Sequence, residues 1–125
     1  MTKEFIPYQE ALALKQLGFD EPCFGLWNIN NGKYEVDIIG VCKYSEEFKY
    51  REVLAPTYQQ AFRWFREKYN LFGQVNIRTY YIYEISNDGI AIKMASQYDK
   101  LLNTYEEAEL ECLKKLIELI KQKQL

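Results

Sequence analysis

The stretch from Pro56 to Leu71, PTYQQAFRWFREKYNL, constrains this chain more than any other. Tyr58, Ala61, Phe62, Phe65 and Tyr69 recur at i, i+3, i+4, i+7 and i+11, which makes one apolar stripe on a helix. Thr57 stands where an N-cap belongs, and Gln60 three residues later completes a capping box. Arg63 and Glu67, four apart on the opposite side, make that side a solvated face laced by an ion pair. So aromatic a stripe must be buried against other elements, and the chain on either side reads as a hairpin.

Upstream, Pro7 suits the first turn of a helix, with Ala11, Leu14 and Leu17 as its apolar face and Leu12 beside them. Gly18 falls where a left-handed C-cap is expected, and Pro22 blocks continuation. Cys23 to Ile29 (CFGLWNI) reads as a strand, and Asn30-Asn31-Gly32 as a tight hairpin turn. In the returning strand Tyr34, Val36 and Ile38 alternate with Glu35 and Asp37, which predicts one buried face and one wet face. Lys43 to Glu52 mixes both charge signs with Tyr44, Phe48 and Tyr50 and shows no clear period.

Downstream, Gly73 marks the exit from the central helix, and Val75 to Ile85 (VNIRTYYIYEI) reads as one long strand. Ser86-Asn87-Asp88-Gly89 supplies a turn, and Gly89 to Met94 returns as the partner strand. After a connector from Gln97 to Asn103 comes a second capped helix, with Thr104 as N-cap and Glu107 at the third position. Its stripe runs through Ala108, Cys112, Leu113, Leu116, Ile117 and Ile120. Glutamates crowd its first turns and Lys121 and Lys123 its end, so the charge run complements the helix dipole and requires no partner. The predicted order is α-β-β-α-β-β-α: an α+β fold, with a four-stranded antiparallel sheet from two hairpins and three helices, in a single domain over residues 1–125.

Composition removes several functions. With no histidine, any triad, metal site or acid-base scheme that relies on imidazole is excluded. A net charge of −2 argues against generic binding of a nucleic-acid polymer, which needs a basic footprint. No apolar run approaches the roughly 20 residues that span a bilayer, and MTKEFIPYQE lacks the apolar core of a signal peptide. Cys23, Cys42 and Cys112, scattered and odd in number, read as reduced thiols of a cytoplasmic protein. The aromatic content of 16%, with 11 tyrosines, is high, and a β-containing core accounts for most of it.

The candidate binding residues are Trp64, Arg63, Arg78 and Tyr80. Trp64 lies at the edge of the central helix's stripe beside Arg63; it is either an exposed platform for a ring or, more plainly, the rim of the core. Tyr80 and Ile82 fall on what should be the polar face of their strand, with Arg78 beside them, so that face is expected to be partly covered. Aromatic rings with arginines also suit stacking on a base and pairing with phosphate. Asp20 and Glu21 precede Pro22-Cys23 but read as turn residues, no glycine-rich phosphate loop is present, and a cysteine nucleophile would need a base other than histidine. No cofactor is expected, and neither is catalysis.

LGFDEPCF (Leu17 to Phe24), APTYQQAFRWFREKYNL (Ala55 to Leu71), YYIYEI (Tyr80 to Ile85) and TYEEAELECLKKLIEL (Thr104 to Leu119) together resemble small proteins of Bacteroides-type bacteria and of their phages and prophages. That group brings no established activity and no functional residues. What the resemblance implies is context: an intracellular accessory protein of a mobile element, acting by binding a host component. The expectation is a small interaction module, self-association included. The alternative is a binder that sequesters a nucleotide-like ligand, stacking it on Trp64 or Tyr80 and meeting phosphate with Arg63, Arg66 or Arg78.

Overall fold

A computed structural model describes residues 4–42, 52–77, 81–87, 89–95 and 104–123. It contains three helices and six strands: α1 (Tyr8–Gln16), β1 (Cys23–Asn30), β2 (Lys33–Cys42), β3 (Val53–Ala55), α2 (Tyr58–Tyr69), β4 (Leu71–Ile77), β5 (Tyr81–Asn87), β6 (Ile90–Ala95) and α3 (Tyr105–Lys123). The α+β class is as expected. The single four-stranded sheet is not: the strands form two three-stranded antiparallel sheets, ordered β2-β1-β3 and β4-β5-β6. The chain divides into two compact units, Met1–Tyr58 and Gln59–Leu125.

In the first unit α1 ends as its sequence dictates. Gly18 takes φ 100°, its N–H bonds Lys15 O at 3.1 Å and the Phe19 N–H bonds Leu14 O at 2.9 Å. This is the Schellman pattern, and the two residues that flank it as a hydrophobic clasp, Leu14 and Phe19, are both buried. β1 is the central strand, joined to β2 through the Asn31-Gly32 turn, where both residues have positive φ. The Trp27 indole N–H donates to Ile6 O at 2.8 Å. Its third strand, β3, pairs Gly25, Leu26 and Trp27 with Ala55, Leu54 and Val53. Val53, Leu54 and Ala55 are all buried, so no alternation advertises the strand, and three residues are too few to establish a period.

The alternation of β2 is real, but its apolar face is not buried. Tyr34 is 50% and Ile38 58% exposed. Tyr34 instead stacks on Tyr8, with ring centroids 4.3 Å apart, while Asp37 on the other face accepts a hydrogen bond from the Asn28 amide.

In the second unit α2 buries Ala61, Phe62, Trp64 and Phe65, and the Arg63–Glu67 pair on its outer side stands at 3.9 Å. Asn70, at φ 56°, ends the helix and turns the chain directly into β4. What reads as one strand from Val75 to Ile85 is therefore two: β4 begins at Leu71, and its partner β5 begins at Tyr81. A β-rich run of alternating residues carries no mark of the reversal, because Thr and Tyr favour strands wherever they stand. β6 is as expected.

α3 packs on β4 and β5 and buries every residue of its predicted stripe. The Thr104 hydroxyl accepts the Glu107 N–H at 3.1 Å, the predicted cap. At Gly73 helix and sheet approach closely: a Cβ there would lie 2.9 Å from Cys112 Sγ and 3.0 Å from Leu116 Cδ1. Among the described residues no helix is long and apolar enough to cross a membrane.

Candidate functional site

The four residues singled out in the sequence do not converge among the described residues. Arg63 is exposed on the outer side of α2 and paired with Glu67. Trp64 is only 5% exposed; its ring meets Phe65 and Tyr69 edge-on at 5.1 and 5.4 Å, and the Lys68 ammonium sits 5.1 Å from its centroid. It closes the core, and an exposed platform is not what the structure presents. Arg78 and Tyr80 lie outside the described residues. Ile82, beside them in the sequence, is buried, as is its neighbour Tyr83. Both faces of β5 are thus covered at its middle, and Ile82 is covered by the chain itself.

The surface features of the second unit lie elsewhere, one on each face of its sheet. Cross-strand register places Phe72, Gln74, Glu84 and Ser86 on the face opposite Leu71, Gly73, Ile85 and Asn87. On the first of these faces, Arg66 from α2, Phe72, Gln74, Ser86 and the Gly73 and Gly89 backbones line a groove of about 560 Å³. Phe72 and Ser86 are direct cross-strand partners. The groove gathers a cation, a partly exposed ring, an amide and a hydroxyl, which is the donor set for a small anionic planar molecule.

The other feature is apolar. Leu71, Asn87, Ile90, Ile92, Leu119 and Lys123 line a groove of about 310 Å³ beside β6. Ile90 is 69% exposed and Ile92 49%. β6 pairs with β5 alone, so its outer edge has no strand beside it among the described residues. Sequence reading passed over these isoleucines because GIAIKM reads as an ordinary return strand, whose alternation says nothing of which edge it occupies.

Burial makes Cys23 and Cys112 poor nucleophiles. Burial pushes Cys112 up to about 12, with the Gln74 backbone hydrogen bond working against that and Glu109 adding to it. Cys23 is also buried, and its thiol donates to Glu21 O at 3.4 Å. Glu109 is raised first by burial and then by Glu106, and Tyr105 is raised by burial, then by Glu109 and Glu106. Among the described residues no three Cys, Asp or Glu side chains gather to hold a metal ion.

Comparison with known proteins finds no matching family model, no matching curated protein and no matching solved structure.

Proposed function

We propose that this chain is a non-catalytic interaction module whose binding surface is the β6 edge of its second unit, and whose partner is a protein, a second copy of the chain included. One observation carries the reading: a sheet edge that has no neighbouring strand among the described residues and displays Ile90 and Ile92 beside an apolar groove. Open edges are usually shortened, charged or covered, because their free N–H and C=O groups template pairing with another chain. Here two isoleucines flank that edge, and an added strand would gain main-chain hydrogen bonds and burial together. The apolar face expected at Arg78, Tyr80 and Ile82 does not support this reading, because Ile82 is buried by the chain itself.

Native mass spectrometry of the purified chain, alone and after mixing with host extract, tests the proposal. The expected result is a dimer, or a retained protein partner, that Ile90→Lys abolishes without lowering the melting temperature. A complex that survives both Ile90→Lys and Ile92→Lys would place the surface elsewhere.

A second reading rests on the Arg66 groove: sequestration of a small nucleotide-like ligand, with Phe72 in place of Trp64 as the stacking ring and Arg66 meeting phosphate. Its signature is a thermal shift with mononucleotides that Arg66→Ala removes.

A further inference from the structure

Polar side chains converge on the groove at the end of α2 with their hydrogen-bonding capacity unspent. Among the described residues the Arg66 guanidinium has no ion pair, and the Gln74 amide and the Ser86 hydroxyl have no hydrogen bond within the protein. Phe72, 43% exposed, has no ring partner among them either. The corner that presents these groups is fixed from both sides. Asn70, at φ 56°, ends α2 and starts β4 at once. Its N–H donates to Arg66 O at 3.1 Å, and its own carbonyl accepts the Asn87 amide at 3.2 Å. Arg66 therefore stands in the last turn of a capped helix, and Asn87 ties that corner to β5, the strand that carries Ser86. The volume of about 560 Å³ lies within the roughly 300–1,000 Å³ of small-molecule sites.

Charge narrows what such a groove can hold. Arg66 is the one charged side chain that lines it among the described residues. A guanidinium meets one phosphate through two parallel N–H donors, and a second phosphate would find no cation there. Glu84, directly opposite Gln74 and two residues before Ser86, puts a carboxylate on the same face of the sheet. Further phosphates would be repelled by it. We infer that the groove selects a nucleoside monophosphate over the corresponding di- and triphosphates. The phosphate lies on Arg66 and the base stacks against Phe72, while the Gln74 amide and Ser86 hydroxyl supply donors and acceptors for the polar edge of the base or sugar. This selectivity rests on the second functional reading, that the groove takes a nucleotide-like ligand, and adds to it the phosphate number.

Isothermal titration calorimetry of the full-length chain supplies the test, with AMP, GMP, CMP and UMP, their triphosphates in magnesium-free buffer, and inorganic phosphate. The expected result is that at least one monophosphate binds, several-fold tighter than its triphosphate and than inorganic phosphate. Arg66→Ala should weaken that binding about tenfold or more, and Phe72→Ala several-fold. Both variants should keep the parent's melting temperature, because neither side chain is buried. Glu84→Gln should leave monophosphate affinity nearly unchanged and raise that of the triphosphate. A triphosphate that binds the parent as tightly as the monophosphate, or a preference that Glu84→Gln does not narrow, would overturn the selectivity and leave the nucleotide reading standing. Inorganic phosphate binding as tightly as the monophosphates would overturn it too, since the ring would then contribute nothing. If none of the nucleotides binds, the selectivity and the reading beneath it fall together.

Discussion

Among the described residues each of the two sheets carries one bulge in an edge strand, and the two bulges have opposite consequences. In β2 two extra residues separate the Ile38 and Cys42 pairings, so the strand leaves the bulge with its facing unchanged and Cys42 comes opposite Cys23. In β6 there is one extra residue: Ile85 pairs with Lys93 and Ser86 with Ala91, leaving Ile92 unmatched. An odd insertion re-phases the strand, so Lys93 stands opposite the buried Ile85 where a straight ladder would have put Ile92. Ile92 is turned out into the apolar groove instead. Parity of the insertion thus decides whether a bulge aligns two residues across a ladder or displays one at an edge.

A second difference concerns cover. α3 lies along β4 and β5 and buries six residues of its stripe, whereas β2 leaves Tyr34 and Ile38 half exposed or more. The largest expected effect follows from that contrast. Leu116→Ala, at a fully buried site against Gly73, should cost about 3 kcal/mol in urea denaturation, while Ile38→Ala should cost less than about 1 kcal/mol. Equal costs would mean that β2 is covered in solution.

Gly40→Ala comes next, at about 1–2 kcal/mol, because its φ of 79° penalises a Cβ. The same substitution at Gly25, whose φ is not positive, would act through crowding by Phe5 instead. Thr104→Ala should then cost about 1 kcal/mol through the lost bond to the Glu107 N–H. Asp at that position should restore most of the loss, which distinguishes capping from packing. Ile92→Lys should change stability by less than about 0.5 kcal/mol yet reduce self-association measured by sedimentation. A large loss of stability there would show that the bulge residue is part of the core.

The smallest effect concerns Glu109. Its folded-state carboxyl is raised above the ordinary value of 4.5 by burial and Glu106. The folded chain therefore binds that proton more tightly than the unfolded chain, and stability falls as pH rises through the carboxylate range. Glu109→Gln should be slightly more stable than the parent near neutral pH. The gain should vanish below the ordinary carboxylate value, a trend that melting temperatures across pH would trace.

Much of this was legible in local patterns. The stripe of α3 from Ala108 to Ile120, its Thr104 cap, the Gly18 terminus of α1 and the Asn31-Gly32 turn all depend on residues within a few positions of one another. Propensity, capping and turn chemistry act over that range. The third strands were not legible, for two different reasons. β3 is a buried triplet with no period, and β4 and β5 are merged by a strand-favouring run that conceals its own reversal. Among the candidate site residues, Arg63 stands on the solvated side as its spacing predicts. Trp64, at the margin of the stripe, was settled by its neighbours Phe65, Lys68 and Tyr69.

By itself, then, the sequence determined the helices, their ends, the hairpin turn of the first sheet and the exclusion of imidazole chemistry. These are properties of residue identity and short spacing. Tertiary structure alone decided that the strands form two sheets, that Ile82 is buried while Ile90 and Ile92 are not, and that Cys23 stands across from Cys42. Burial and register depend on which distant segment lies alongside, and one or two inserted residues in an edge strand are enough to change the outcome.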